Sequence, residues 1–281
     1  MRKVSAIFFL LIAHLSSHEQ LSSYNFRSLT TSDGLSDGIV RAISQDKYGF
    51  VWIGTSYGLN RFDGLSIKKF FFRNGDTTSL PDNYVQSLRQ DRKGNLWVGT
   101  RKGLCRYDYI HDCFINYSST NSLTINDIRD DRKGNIWLGT SSGLWMLEKK
   151  GTVQRLTGRD SVEKKLRCSI TRIIVAESGN LYLATPCGIK IINPETLEYE
   201  EIIYDPGAKF SISSNDVYSV VIDTSGYLWA ACAHAKSLLD KIDLKNRTVK
   251  HYERFTDPEK KWSNNTVLSL LIDTKGRLWG T

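Results

Sequence analysis

Two stretches of the chain carry the spacing of a nucleophile elbow. Gly54-Thr55-Ser56-Tyr57-Gly58 and Gly139-Thr140-Ser141-Ser142-Gly143 both read G-x-S-x-G. In hydrolases that pattern exposes a serine on a sharp strand-to-helix turn. Here each copy bridges two strand-like runs, and the equivalent position between them is Arg101, so catalysis by these serines is not expected. The histidines, His14, His18, His111, His234 and His251, stand alone, with no HExxH or CxxC spacing to hold a metal. Acidic neighbours such as Asp130-Asp131 and Glu200-Glu201 point to opposite faces of a strand, which makes them poor acid–base partners. No catalytic residue, metal or cofactor is expected.

The cysteines are odd in number: Cys105, Cys113, Cys168, Cys187 and Cys232. An odd count argues against a full disulfide framework. Cys105 and Cys113 flank a turn centred near Tyr109. They are either facing partners across a hairpin or two small buried hydrophobes. The net charge of +8 is spread among lysines and arginines that often sit near Asp or Glu. With no basic run or binding motif, this segment is not expected to contact nucleic acid directly.

The N-terminus reads MRKVSAIFFLLIAHLSSHEQ. Arg2 and Lys3 precede a short apolar run from Val4 to Leu15, too short to span a bilayer comfortably and suited to a secretory signal. Residues 1–20 are read as that signal, with cleavage between Ser16 and Ser23. No later stretch is apolar enough for a membrane helix, so no membrane anchor is expected within this chain.

These candidates must be held by something, and the chain says what. Asp91–Thr100 reads DRKGNLWVGT and Asp131–Thr140 reads DRKGNIWLGT; eight of ten letters agree. Relatives begin at Asp46 (DKYGFVWIGT), Ala176 (AESGNLYLAT), Asp223 (DTSGYLWAAC) and Asp273 (DTKGRLWGT). The aromatic position is Trp52, Trp97, Trp137, Tyr182, Trp229 and Trp279, at spacings of 45, 40, 45, 47 and 50 residues. That period is one four-stranded blade of a β-propeller. In each unit a short apolar strand leads to an Asp-x-x-Gly turn. The pairs are Asp46 with Gly49, Asp91 with Gly94, Asp131 with Gly134, Asp223 with Gly226 and Asp273 with Gly276. In the fourth unit Gly179 follows Ala176, which stands in the Asp place. A second strand ends in Gly-Thr, a short turn leads to a Gly-Leu strand (Gly58–Asp63, Gly103–Asp108, Gly143–Glu148), and a fourth closes the unit (Cys113–Tyr117, Leu197–Tyr204). Asp accepts backbone N–H bonds in tight turns, and Gly supplies positive φ. The Trp should face the next blade, where burying it is worth about 4–6 kcal/mol as an upper figure. The Gly before Thr should let neighbouring backbones approach. The motif is read as scaffold, used once per blade.

The pattern N-x-V-x-x-I-x-x-D-x-x-G-x-L-W-x-G-T-x-x-G-L resembles the two-component regulator propeller repeat. Asp82–Leu104 carries it nearly whole, Thr78–Asn83 (TSLPDN) matches its inter-blade stretch, and Ser122–Asn126 echoes that stretch. The resemblance covers nearly everything after residue 24. It departs in the fourth and fifth units, at Ala176, Tyr182 and Ala231-Cys232, where altered turns are expected.

The resemblance implies the periplasmic sensor region of Bacteroides-type hybrid two-component proteins. In these, two propellers precede a β-sandwich, a membrane helix, a histidine kinase, a receiver and a DNA-binding domain. It also implies seven blades per ring and a dimer in the full-length form. Residues 24–281 give a partial propeller on this count. Five complete blades lie within 39–253, two strands of a sixth within 265–281, and Tyr24–Thr30 is a latching outermost strand. An incomplete seven-bladed ring from a truncated gene or fragment, prone to aggregate or dimerise, is the expectation.

The turns between second and third strands lie on the face of the inter-blade links, and the Asp-x-x-Gly turns lie on the other. The first face varies: Ser56-Tyr57, Arg101-Lys102, Ser141-Ser142, Pro186-Cys187 and His234, with Tyr84 and Trp262 from the links. Aromatics and bidentate donors suit a sugar or acidic sugar. Tyr57, Tyr84, Arg101, Lys102, His234 and Trp262 are therefore the candidate ligand contacts. Sensing of an oligosaccharide is the expected function. A protein-interaction propeller without a small ligand, and a propeller lyase or glycosidase, are the alternatives.

Overall fold

The computed structural model describes residues 28–156, 165–235, 237–253 and 267–280. The proposed signal, Trp262 and most of the Tyr24–Thr30 latch lie outside these; Ser28–Thr30 carry no strand. The architecture is all-β, in successive antiparallel sheets with strands in sequence order. Blade one contains β1 (Val40–Gln45), β2 (Val51–Thr55), β3 (Gly58–Phe62) and β4 (Ile67–Phe70). Blade two contains β5 (Val85–Gln90), β6 (Leu96–Thr100), β7 (Gly103–Asp108) and β8 (Cys113–Tyr117). Three further four-stranded sheets occupy 125–155, 172–202 and 217–253, and a two-stranded sheet occupies 270–280. The first strands of consecutive blades lie side by side, as around a propeller axis.

The Asp-x-x-Gly turn is a clamp as well as a turn. Asp91 Oδ1 accepts the N–H groups of Lys93 and Asn95, each at 2.9 Å, while Oδ2 accepts the Trp97 indole N–H at 2.8 Å. The same carboxylate-to-indole bond, six residues apart, joins Asp46 to Trp52 (2.7 Å), Asp131 to Trp137 (3.1 Å), Asp223 to Trp229 (2.8 Å) and Asp273 to Trp279 (3.0 Å). One side chain thus closes the turn and satisfies a Trp N–H that would otherwise be buried unpaired. In the first three blades the indole packs on the next blade. Trp52 meets Val85, Leu96 and Val98; Trp97 meets Ile125, Ile136 and Leu138; Trp137 meets Ile173, Leu181 and Leu183. Trp279 differs: it keeps the bond to Asp273 but is 52% exposed, with no further blade against it among the described residues.

The glycines of these turns do what the sequence asks of them. Gly49, Gly94, Gly134, Gly226 and Gly276 take φ of +89°, +79°, +86°, +84° and +76°. Each donates its N–H to the carbonyl of the Asp three residues before it, at 2.9, 2.9, 3.2, 2.9 and 2.9 Å. The requirement is backbone conformation, not room. A Cβ on Gly49 or Gly226 would meet nothing within 4 Å, and one on Gly134 or Gly276 would come no closer than 3.3 Å to a side-chain tip. At Gly94 the nearest obstacle is the flexible Lys47 side chain. An L side chain is disfavoured there by its φ alone.

Blade four shows why the clamp is a unit. Ala176 brings no carboxylate and Tyr182 no indole, so the two losses cancel. The expected alteration of its turn does not occur. Ala176 N–H still reaches Asn180 O at 2.9 Å, Gly179 N–H reaches Ala176 O at 3.0 Å, and Gly179 keeps φ +89°. Backbone bonds and the glycine fix the turn; the side-chain pair adds the tie to the aromatic. Blade five does change beyond Cys232, where a longer loop puts His234 at φ +55°.

The glycine before Thr is explained by side chains more than by backbone. A Cβ on Gly54 would stand 2.6 Å from Val85 Cγ1, and one on Gly99 would stand 2.7 Å from Ile125 Cγ2 and 2.3 Å from Ser87 Oγ. The next blade's first strand fills the space a side chain would need, and at Gly99 the blade's own Ser87 crowds it as well. Cys105 and Cys113 are both free. Cys105 lies opposite Asn116 and Cys113 opposite Asp108, so the two thiols are in different registers and the hairpin does not pair them. Burial pushes the thiols of Cys105 and Cys232 far above their ordinary range.

The clamps predict an acid sensitivity. Burial pushes the Asp91 carboxyl up, but hydrogen bonds from Asn95, Trp97 and Lys93 outweigh it and hold the group below its ordinary 3.8. Asp223 is lowered in the same way, against burial, by Trp229, Tyr227 and Ser225. A lowered carboxylate stabilises the fold fully above the unfolded value, and the contribution is lost as pH falls through the folded value. Unfolding midpoints in urea should therefore be flat above about pH 5 and fall steadily below about pH 4.

Candidate functional site

The turns on the variable face are built by one threonine device. Thr55 Oγ1 donates to Gly58 O at 2.9 Å and accepts the Tyr57 N–H at 3.2 Å. Thr100, Thr140 and Thr185 repeat both bonds with Gly103 and Lys102, Gly143 and Ser142, Gly188 and Cys187. The backbone is thereby fixed while residues 56–57, 101–102, 141–142 and 186–187 are free to differ. A second repeated bond joins each turn to its link: Ser56 N–H to Ile39 O (3.0 Å), Arg101 to Tyr84 (3.2 Å), Ser141 to Thr124 (3.2 Å), Ala233 to Asp216 (2.8 Å). The elbow reading fails in this setting. Gly54–Gly58 bridges β2 and β3, and Ser56 Oγ accepts from Arg41 Nε at 3.2 Å rather than giving its proton to a base.

The candidate contacts do not form one cluster. Tyr84 and Arg101 meet, with the guanidinium 3.6 Å from the ring centre. Tyr57 is exposed and packs near Phe71, ring centres 5.9 Å apart. Lys102 and His234 fall in two separate grooves on the same face. Trp262 lies outside the described residues.

The grooves are counterparts. The links 72–84 and 204–216 are equal in length and held alike. Phe72 N–H reaches Asn83 Oδ1 at 2.8 Å and Tyr204 N–H reaches Asn215 Oδ1 at 2.7 Å. Arg73 N–H reaches Ser79 Oγ at 3.0 Å and Asp205 N–H reaches Ser211 Oγ at 2.7 Å. Gly58 and Gly188 N–H groups reach Asn83 O and Asn215 O, both at 2.6 Å. Each link shapes a groove, of about 740 Å³ in blade two and about 770 Å³ at blade five. The linings diverge. Arg73, Lys102, Asn116 and Asn121 line the first, beside Phe72 and Pro81. Asp205, Asp216, His234 and His251 line the second, beside Tyr204 and Pro206. The first also carries Asp76 and Asp82, so it sets two bases against two acids; the second has two acids and two imidazoles and neither lysine nor arginine.

The second groove holds a serine, a histidine and an aspartate that sequence reading does not connect. Ser213 Oγ is 2.9 Å from His251 Nδ1, which is 2.7 Å from Asp240 Oδ1. A relay needs the two partners on different ring nitrogens. Here both contact Nδ1, and Ser213 Oγ bonds directly to Asp240 Oδ1 at 2.6 Å. Asp240 serves the fold instead, because its Oδ2 accepts the Ser213 N–H at 2.6 Å. Blade one repeats this with Asn60 Oδ1 and Ser36 N–H at 2.8 Å. In blade two Pro81 has no N–H to satisfy, and Cys105 occupies the capping position. The pairings of Ser36 with Asn60, Pro81 with Cys105 and Ser213 with Asp240 are the signal that could have found this cap. Among the described residues no three His, Cys, Asp or Glu side chains converge to hold a metal, and no helix is long and apolar enough to cross a membrane.

Consecutive four-stranded blades with one uniform face and one variable face define a β-propeller. Residues 34–57, 79–102 and 119–142 match the family model of the two component regulator propeller, so these units are repeats of that family. A stretch of 76 residues is 43% identical to the histidine kinase P4 of Formosa agariphila, covering 27% of this chain and 6% of that protein. The extracellular domain of BT3049 from B. thetaiotaomicron, described as a putative hybrid two component system, superposes with a TM-score of 0.74 at 21% identity. That match covers 90% of this chain and 34% of the BT3049 domain, so the chain spans about a third of that structure. A streptogramin B lyase shares the fold at a TM-score of 0.64 and 16% identity, over 88% of this chain and 78% of the lyase.

Proposed function

We propose that this chain is part of the sensing surface of an extracytoplasmic two-component receptor, and that it binds an oligosaccharide on its variable face. One observation carries the reading. Two links of like construction carry different linings, one with Arg73 and Lys102 and the other with His234 and His251, while the Asp-x-x-Gly face is uniform. A scaffold repeated for stability has no reason to vary there; a surface selected for recognition does. The two-component repeats and the histidine kinase likeness support a signalling context, and the secretory character of residues 1–20 supports export. Binding, not catalysis, suits a face whose only Ser–His–Asp contact among the described residues shares one ring nitrogen. The chain itself is not expected to autophosphorylate.

A glycan array followed by thermal-shift titration of the purified chain tests this. An oligosaccharide should raise the melting temperature, and Lys102→Ala or His234→Ala should abolish the rise while leaving the unliganded melting temperature unchanged. No glycan bound, or a rise indifferent to both substitutions, would remove the basis for the proposal.

A further inference from the structure

We infer that Arg41, Tyr84 and Arg101 form a subsite for the oxyanion of an acidic sugar, a carboxylate or sulfate. The inference rests on the oligosaccharide reading above and narrows its chemistry. The Arg101 guanidinium carbon lies 3.6 Å from the centre of the Tyr84 ring, and that of Arg41 lies 5.2 Å from the same centre. Two permanent positive charges thus share one aromatic ring. Such charges repel at this range and are only partly screened by salt. The ring offsets some of that repulsion by cation–π attraction.

Among the described residues no carboxylate completes the site. Among the described residues neither arginine has an ion pair, whereas Arg61, Arg89 and Arg129 each do. Asp37 and Asp82, the acids nearest Arg41 and Tyr84 in sequence, are turned to the backbone: Asp37 Oδ1 accepts the Ile39 N–H at 2.7 Å and Asp82 Oδ1 accepts the Tyr84 N–H at 2.8 Å. Both arginines are exposed and Tyr84 is half-buried, so the cluster is open to solvent.

The cluster is also local. The turn-to-link bond recurs in other blades, but the side chains there are Ile39 with Ser56, Thr124 with Ser141, and Asp216 with Ala233. Among the residues that make these bonds only Arg101 carries a guanidinium, and Arg41 adds a second from β1. Their planar forks match the paired oxygens of a carboxylate or sulfate. Arg41 Nε donates to Ser56 Oγ at 3.2 Å, which orients that fork while leaving its terminal nitrogens for a ligand.

The test is titration of the full chain with three oligosaccharides of equal length: an oligoglucuronate, a sulfated glucan and a neutral glucan. At least one acidic oligomer should bind about tenfold or more tightly than the neutral one, and raised salt should weaken it. Arg41→Gln and Arg101→Gln should each lose about tenfold, and Arg101→Lys should fall between. Lys69→Gln, an exposed charge on β4, should change little. Unaltered denaturation midpoints would confirm that the variants fold. Equal affinity for acidic and neutral oligomers, no loss in the double glutamine variant, or an equal loss in Lys69→Gln would each overturn the inference. Binding of the neutral oligomer alone would overturn it and leave the sensing proposal standing. Failure of all glycans on the array would overturn both.

Discussion

Trp52→Ala should cost about 4 kcal/mol of stability, within the range of about 3–5 kcal/mol for truncating a buried aromatic. The ring has 0% exposure and is held on several sides. Phe70 stacks at 5.6 Å and Tyr107 meets it edge-on at 4.7 Å. The Arg61 guanidinium lies 5.7 Å from its centre, and its N–H is bonded to Asp46. Valine and leucine side chains of blade two close the remaining contact. Removal leaves a cavity between two sheets that cannot collapse without breaking strand pairing in one of them. Trp52→Phe should cost less, since it keeps most of the packing and loses the N–H. Urea denaturation followed by circular dichroism gives both values; a loss below about 1 kcal/mol for the alanine variant would show that the blades do not depend on this wedge.

Asp91→Ala should cost about 3 kcal/mol, more than a polar surface substitution has any reason to cost. The carboxylate accepts the Lys93 and Asn95 N–H groups, the Asn95 side-chain amide at 2.8 Å and the Trp97 indole. Deleting it strands a nearly buried indole N–H, and an unsatisfied buried donor costs about 1–3 kcal/mol beyond the bonds lost. Trp97→Phe in the same background should recover part of that loss, because it removes the stranded donor. Blade four is the natural precedent, having neither Asp nor Trp at these places and keeping its turn. The acid limb of the stability profile should also flatten in Asp91→Ala, since a lowered carboxylate has been removed. Additive single and double variants would mean that the clamp is not a coupled pair.

The blade plan is legible in the sequence because every blade solves one packing problem with the same residues. The strands expected at Gly103–Asp108 and Cys113–Tyr117 have those bounds in the structure, while Leu197, at φ +60°, lies before its strand, which begins at Tyr199. The turn glycines are legible too, since the positive φ expected of Gly49, Gly94, Gly134, Gly226 and Gly276 is the φ they adopt. Asp and Trp each read as structural, yet their mutual bond does not, because a spacing of six residues matches no contact along a strand; only the turn between them brings them together. The site is less legible. The links 72–84 and 204–216 share Gly75 with Gly207, Ser79 with Ser211 and Asn83 with Asn215, and the last two pairs are the residues that pin the link. Their kinship appears only once the hydrogen bonds are seen. Arg41 escapes a search of the turns for another reason: it lies on β1 and reaches the variable face by its length. Lys102 and His234, both in candidate turns, line different grooves because the blades between them separate the two links.

The two faces of the propeller divide the labour: Asp-x-x-Gly turns and their indoles hold the blades, and the opposite face is the proposed ligand surface. Peptide-resolved hydrogen exchange of the full chain, with and without a saturating oligosaccharide from the array, measures that division directly. Exchange should slow in 72–84, 101–102, 204–216 or 233–235, with no change at 46–49, 91–94, 131–134 or 223–226. Protection centred on the Asp-x-x-Gly turns, with the links unchanged, would contradict it.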